Sequence, residues 1–200
     1  MSFTLGHLIE QYHTDPDSNF TKLSYRVRVE RRRTLARICR EHGGQQLRNI
    51  RTRTLIEWHR KWIAGGKLSM ARSLVDRMRE LLRFGSTVLE DGECSRLLSG
   101  LAEIRPQKPV PNPVYITREQ AYAICAVAHE HFGWPSIALA QAIQFELPLT
   151  QKDVIGEWVP VGEAATSDVV SDGQKWLRGL RWSAIDDNLI MRTMLAPVAS

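Results

Sequence analysis

The sequence predicts a mainly α-helical chain: an N-terminal bundle of four or five helices, a proline-rich spacer, and a second, mainly helical part ending in one β-strand. Three observations carry this. Apolar residues recur at three- and four-residue spacing across the first hundred positions, the period of a helix with one buried face. Pro106, Pro109, Pro111 and Pro113 crowd eight residues, and proline lacks the N–H and fixes φ, so no helix crosses them. Leu189-Ile190-Met191 follows Asp186-Asp187-Asn188, an apolar run entered from a turn.

The elements follow in order. Residues 4–13 place Leu5, Leu8, Ile9 and Tyr12 on one side of a short helix. Asp15-Pro16-Asp17-Ser18-Asn19 is a turn cluster, because these side chains bond nearby backbone or preset φ. A long basic helix is expected over residues 24–42, stopped by Gly43-Gly44, with Leu35, Ile38, Cys39 and His42 on its inner face. Residues 52–64 carry Leu55, Trp58, Trp62 and Ile63 at helical spacing and end at Gly65-Gly66. The cleanest period is Ala71, Leu74, Val75, Met78, Leu81, Leu82 and Gly85, opposite Arg72, Asp76, Arg79 and Arg83. A last helix near residues 94–104 presents Leu97, Leu98 and Leu101. These helices, joined by short glycine-containing turns, make a bundle over residues 1–105. The proline run makes residues 106–116 a semi-extended spacer.

Residues 117–200 form the second part. Thr117-Arg-Glu-Gln120 reads as a capping box, the threonine accepting an N–H that the glutamine returns. Ala121, Ile124, Cys125, Ala128 and Phe132 then share a face. Residues 136–147 are apolar on most sides, so this helix is expected to be buried all round and to end at Pro148. Residues 157–175 read as loop.

Charge divides the chain at the same place. The net charge is +5, but residues 1–105 hold 20 Lys+Arg against 12 Asp+Glu and residues 106–200 hold 7 against 10. Between positions 22 and 83 the imbalance is 18 to 5, and 15 of the 18 cations are arginine. Self-repulsion of this size destabilises a compact fold, so the bundle is suited to a polyanionic partner. Arginine's planar fork fits phosphate oxygens and guanine edges. Trp58 and Trp62 lie on the apolar stripe with Leu55, which assigns them to the core rather than to base stacking.

Other classes are excluded. The longest apolar run, residues 121–128, is far short of the roughly 20 residues that span a bilayer. Residues 1–10 lack the basic-then-apolar order of a secretory signal. Cys39, Cys94 and Cys125 are odd in number and far apart, which fits a reducing cytoplasm better than a disulfide framework. His129 and His131 point apart on a helix, with no ligand pattern around them. No metal, cofactor or small-molecule substrate is expected.

The order of motifs resembles a known family. Leu23-Ser24-Tyr25 precedes the basic helix. Gly43-Gly44-Gln-Gln-Leu47-Arg-Asn-Ile50-Arg-Thr52 and Lys67-Leu-Ser69-Met-Ala71-Arg-Ser-Leu74-Val-Asp-Arg-Met78 follow. Together they resemble the core-binding, SAM-like domain of the tyrosine recombinases, the phage-integrase family. Ile116-Thr117-Arg-Glu-Gln120-Ala121 is similar to the opening of that family's catalytic domain, and Leu180-Arg-Trp182-Ser-Ala-Ile185-Asp186 to the segment before its first strand. The resemblance implies double-stranded DNA as partner, self-association on DNA, and the basic helix with residues 69–83 facing the major groove and flanking phosphates. It points to Arg28, Arg31, Arg32, Arg51, Arg53, Lys67, Arg72 and Arg79 as DNA-binding residues.

The departures point away from catalysis. The family's first catalytic arginine falls on Thr150 and its supporting acid on Asp153, while residues 156–179 are an insertion. No lysine follows Lys175, no histidine follows His131, and no tyrosine follows Tyr122. The family's hairpin lysine, His-x-x-Arg box and tyrosine nucleophile are therefore without counterparts, and no catalytic residue is assigned. Without a nucleophile no covalent phosphotyrosine forms. The expectation is a DNA-binding relative of the recombinases whose catalytic domain is incomplete. Two other readings stay open: one half of a split recombinase, and a module that binds RNA or an acidic protein.

Overall fold

The computed structural model describes residues 3–106, 115–147, 149–188 and 190–191. The chain divides into two compact units, Met1–Pro111 and Asn112–Ser200, so the division falls within the expected spacer, most of which lies outside the described residues. The chain is mainly helical, as the sequence predicts, with a small three-stranded sheet in the second unit.

In the first unit, α1 (Leu5–Thr14) starts at Thr4, whose hydroxyl accepts the His7 N–H at 3.3 Å. Its first turn is anchored to the end of α2 (Tyr25–His42): the N–H groups of Leu5 and Gly6 donate to the Gln45 and Gly43 carbonyls, both at 2.9 Å. A single 3₁₀ turn, Leu47–Asn49, leads to α3 (Thr52–Ile63). Gly65 and Gly66 take φ of 71° and 75°, left-handed values that glycine reaches without a Cβ clash, and they turn the chain into α4 (Leu68–Thr87). Asp91 caps α5 (Gly92–Ala102) by accepting the Cys94 N–H at 2.8 Å.

Helix α4 packs against α1, α2, α3 and α5 and is the centre of this unit. Every position of its predicted apolar period is buried, and Phe84 with them. Leu5, Leu8, Tyr12, Phe20, Leu35, Ile38, Trp58, Trp62, Leu97 and Leu101 complete one continuous core. Gly85 is there because α5 crosses close by: a Cβ on it would stand 2.4 Å from the Cys94 Sγ. The inner face of α2 is narrower than predicted. Leu35 and Ile38 are buried, His42 is partly so, and Cys39 is exposed, because it sits beyond the packed arc and lines the groove between α1 and α2.

In the second unit, α6 (Arg118–Ala126) has the predicted capping box: Thr117 N–H donates to Gln120 Oε1 at 3.0 Å and Gln120 N–H to Thr117 Oγ1 at 3.3 Å. A π-type turn, Val127–His131, joins it to α7 (Pro135–Glu146), and α8 (Gln151–Ile155) follows. Two sequence expectations fail here. First, α7 has no buried residue, and Ile137 and Leu139 are exposed. Helix α6, the π-type turn and α8 pack against it, so an all-round apolar sequence is covered on part of its circumference.

Second, residues 157–175 are not loop throughout: 161–169 are irregular, but strands flank them. The strands β1 (Glu157–Pro160), β2 (Val170–Ser171) and β3 (Gln174–Leu177) form a three-stranded antiparallel sheet in the order β1-β3-β2. Asp172 and Gly173 join β2 to β3 with φ of 50° and 71°, the twin positive values of a tight hairpin turn whose twist matches paired strands. The single C-terminal strand expected at residues 189–191 is replaced by one isolated antiparallel bridge between Ile185 and Met191. Leu189 itself lies outside the described residues.

Candidate nucleic-acid interface

The basic residues of the first unit divide into two populations. Some guanidinium groups are consumed by the fold. Arg31 donates to Glu80 at 2.7 Å, and Arg77 shares the same Oε2 at 2.8 Å; both arginine side chains are mostly covered. Arg79 donates to Asp76 at 2.9 Å and to the Ile104 carbonyl at 2.7 Å, pinning the end of the bundle to α4. Arg96 donates to the Leu47 and Ile50 carbonyls at 3.2 and 3.0 Å while pairing with Glu93, so it fixes the turn before α3 to α5. These charges hold helices together, and each has at least one guanidinium N–H committed inside the bundle.

Others face solvent. Of the eight residues the sequence points to, Arg32, Arg51, Arg53 and Lys67 are exposed. Arg32 lies over the Phe20 ring at 5.3 Å, a cation–π contact that directs its stem without burying its charge. Arg53 pairs with Glu57 at 3.3 Å with its side chain 90% exposed, a geometry of little energetic weight. Arg72 is half-exposed near Asp76 at 3.8 Å. Arg28 donates to the Leu23 carbonyl at 2.6 Å and is partly buried. The structure therefore separates the expected set: Arg31 and Arg79 serve as ties, Arg28 is drawn to the backbone, and the remaining five present their cations outward.

The sequence-derived set omits the outer pole of α2. With Leu35 and Ile38 inward, the 100° helical step puts Arg26, Arg33, Arg37 and Arg40 within about 60° of one another on the far side. Arg26, Arg33 and Arg40 are exposed and have no ion-pair partner among the described residues. Arg37 bonds Glu41 at 2.8 Å one turn along. The signal was present in the sequence as the spacing i, i+7, i+11, i+14, read against the buried leucine and isoleucine. Trp58 and Trp62 are buried, as the sequence predicts. Trp58 stacks on His42 at 3.8 Å, and Trp62 donates its indole N–H to Glu41 at 3.1 Å.

In the second unit, Thr150 is the N-cap of α8. Its backbone N–H donates to Asp153 Oδ2 at 2.9 Å and its hydroxyl donates to the same oxygen. Those bonds hold the Asp153 carboxyl below its ordinary range. Lys152 pairs with Glu157 at 2.6 Å. The segment is thus closed on itself, and neither side chain is free to grip a phosphate. Among the described residues no group of three or more His, Cys, Asp or Glu is placed to hold a metal ion, and no helix is long and apolar enough to cross a membrane. No protein-family model matches the chain, and comparison with curated proteins and with solved structures returned no significant match.

Proposed function

We propose that the chain is a DNA-binding protein that grips duplex DNA with its N-terminal unit, acts in the cytoplasm, and performs no strand transfer by itself. The observation that carries the reading is the outward set of Arg26, Arg32, Arg33 and Arg40 on α2, exposed and without an ion-pair partner among the described residues, together with the outward cations of Arg51, Arg53, Lys67 and Arg72. A surface on which many cations lack acidic neighbours costs stability in isolation and gains it against a polyanion. The second unit, with its acidic excess, contributes little to that attraction. The motif order shared with the tyrosine recombinases favours duplex DNA over other polyanions, and self-association on DNA belongs to the same reading. Catalysis is left out because threonine occupies the place of the family's arginine and its hydroxyl is committed to Asp153.

The test is a salt titration of the full chain on duplex DNA, followed by fluorescence anisotropy. If about six phosphates are neutralised, log K falls against log salt with a slope of about −5. An affinity that does not change with salt would overturn the proposal. A suicide-substrate assay is expected to yield no covalent protein–DNA adduct, and an adduct would establish catalysis instead.

A further inference from the structure

The outer pole of α2 has a composition that goes beyond a general basic surface. We propose that Arg26, Arg33 and Arg40 form a rail that binds the DNA phosphate backbone without reading base sequence; this rests on the DNA-binding reading above. The three positions recur every seven residues, about 10.5 Å apart along the helix and about 21 Å end to end at 1.5 Å per residue. All three are exposed, with no ion-pair partner among the described residues. The row is straight because two helical turns almost return to the same direction.

Two features separate a rail from a reading helix. Val29 and Ala36, which border the row on the side away from Arg37, have no hydrogen-bonding group for a base edge. Asn and Gln, the adenine readers, are absent from α2 altogether. Thr34 has turned its hydroxyl onto the Glu30 carbonyl at 3.1 Å. In addition, Glu30 and Glu41 border one edge of the row. A helix pushed into the major groove has phosphates along both flanks, so those carboxylates would meet a phosphate strand. A helix laid along a single strand keeps them on the solvent side. Arg37, already paired with Glu41, sits at that same border and adds less charge than its three neighbours.

The experiment compares the full-length wild type with the triple variant Arg26→Gln, Arg33→Gln, Arg40→Gln and with the single variant Arg33→Gln. Two duplexes of unrelated sequence are titrated between 50 and 200 mM salt. Each phosphate contact contributes about −0.9 to the slope, so the triple variant is expected to flatten it by about 2.7 and the single variant by about 0.9. The loss of affinity is expected to be equal on both duplexes. A wild type that binds in a salt-dependent manner, with a triple variant of unchanged slope, overturns the rail and leaves the DNA-binding reading standing. A loss confined to one duplex also overturns it, because the row would then be reading bases. A wild type with salt-independent affinity or none overturns both. Because all three side chains are exposed, thermal melts of the variants are expected to superimpose on wild type, and the single variant provides the same readout if the triple one does not fold.

Discussion

Arginines that are indistinguishable in the sequence have opposite roles in the structure. Arg79 and Arg33 both lie in charge-rich helical segments, yet Arg79 reaches the Ile104 carbonyl, 25 positions away, and Arg33 reaches solvent. Helical periodicity gave Arg79 an outward direction relative to its own helix. It could not show that the chain after α5 returns across that face. A charged donor on a carbonyl contributes about 1.5–3 kcal/mol when well covered. The Arg79 side chain keeps 30% of its exposure, so the Arg79→Gln variant is expected to lose about 1–2 kcal/mol. Urea denaturation of the variant measures this, and its DNA affinity is expected to stay within about twofold of wild type. A large loss of affinity with unchanged stability would return Arg79 to the interface.

At the scale of elements, legibility follows the length of the repeating pattern. In α4 the apolar period runs through seven positions, and the structure buries all of them. A pattern sustained over four turns leaves a single face to bury. The sheet escaped because its strands are two to four residues long, too short for alternation to register. The stronger signal was the Asp172-Gly173 dipeptide, whose positive φ values make the hairpin. For α7 the sequence shows an apolar helix, but the extent of its cover depends on neighbours that its own residues do not specify. The outer pole of α2 was legible in principle, since once Leu35 and Ile38 are placed inward the arginines opposite them follow from geometry alone. The corresponding test of the pattern is Leu74, fully buried in the middle of α4. Truncating it leaves a cavity among helices that collapse only partly, so Leu74→Ala is expected to cost about 2–5 kcal/mol. A shift of the thermal midpoint by only a degree would show that α4 is not the centre of the bundle.

At the scale of the whole molecule, the surface that suits a polyanion sits on a fold that is sensitive to acid. His13, His42 and His59 all belong to the first unit, and each has a ring nitrogen that is buried and without a hydrogen-bond partner. Burial pushes all three below the ordinary histidine pKa. Arg32 pushes His13 further down; Glu41 partly restores His42, against Lys61. The sign follows from proton counting. In the unfolded chain these rings take up a proton as the pH falls through about 6.5, whereas the folded bundle resists until the pH is lower. The unfolded state therefore binds more protons in that window, and stability falls with pH. Above it both states are neutral, and the contribution is constant. The folded bundle keeps these three rings neutral in the same window, so affinity and stability are expected to diverge: between pH 7.5 and 5.5 the melting temperature drops while DNA affinity at fixed salt holds, provided the assay temperature stays below the melt. Replacing His42 by Gln removes one of the three titrations and is expected to flatten the pH dependence of the melt. A melting temperature that is constant over this range would mean the three rings accept protons without opening the bundle.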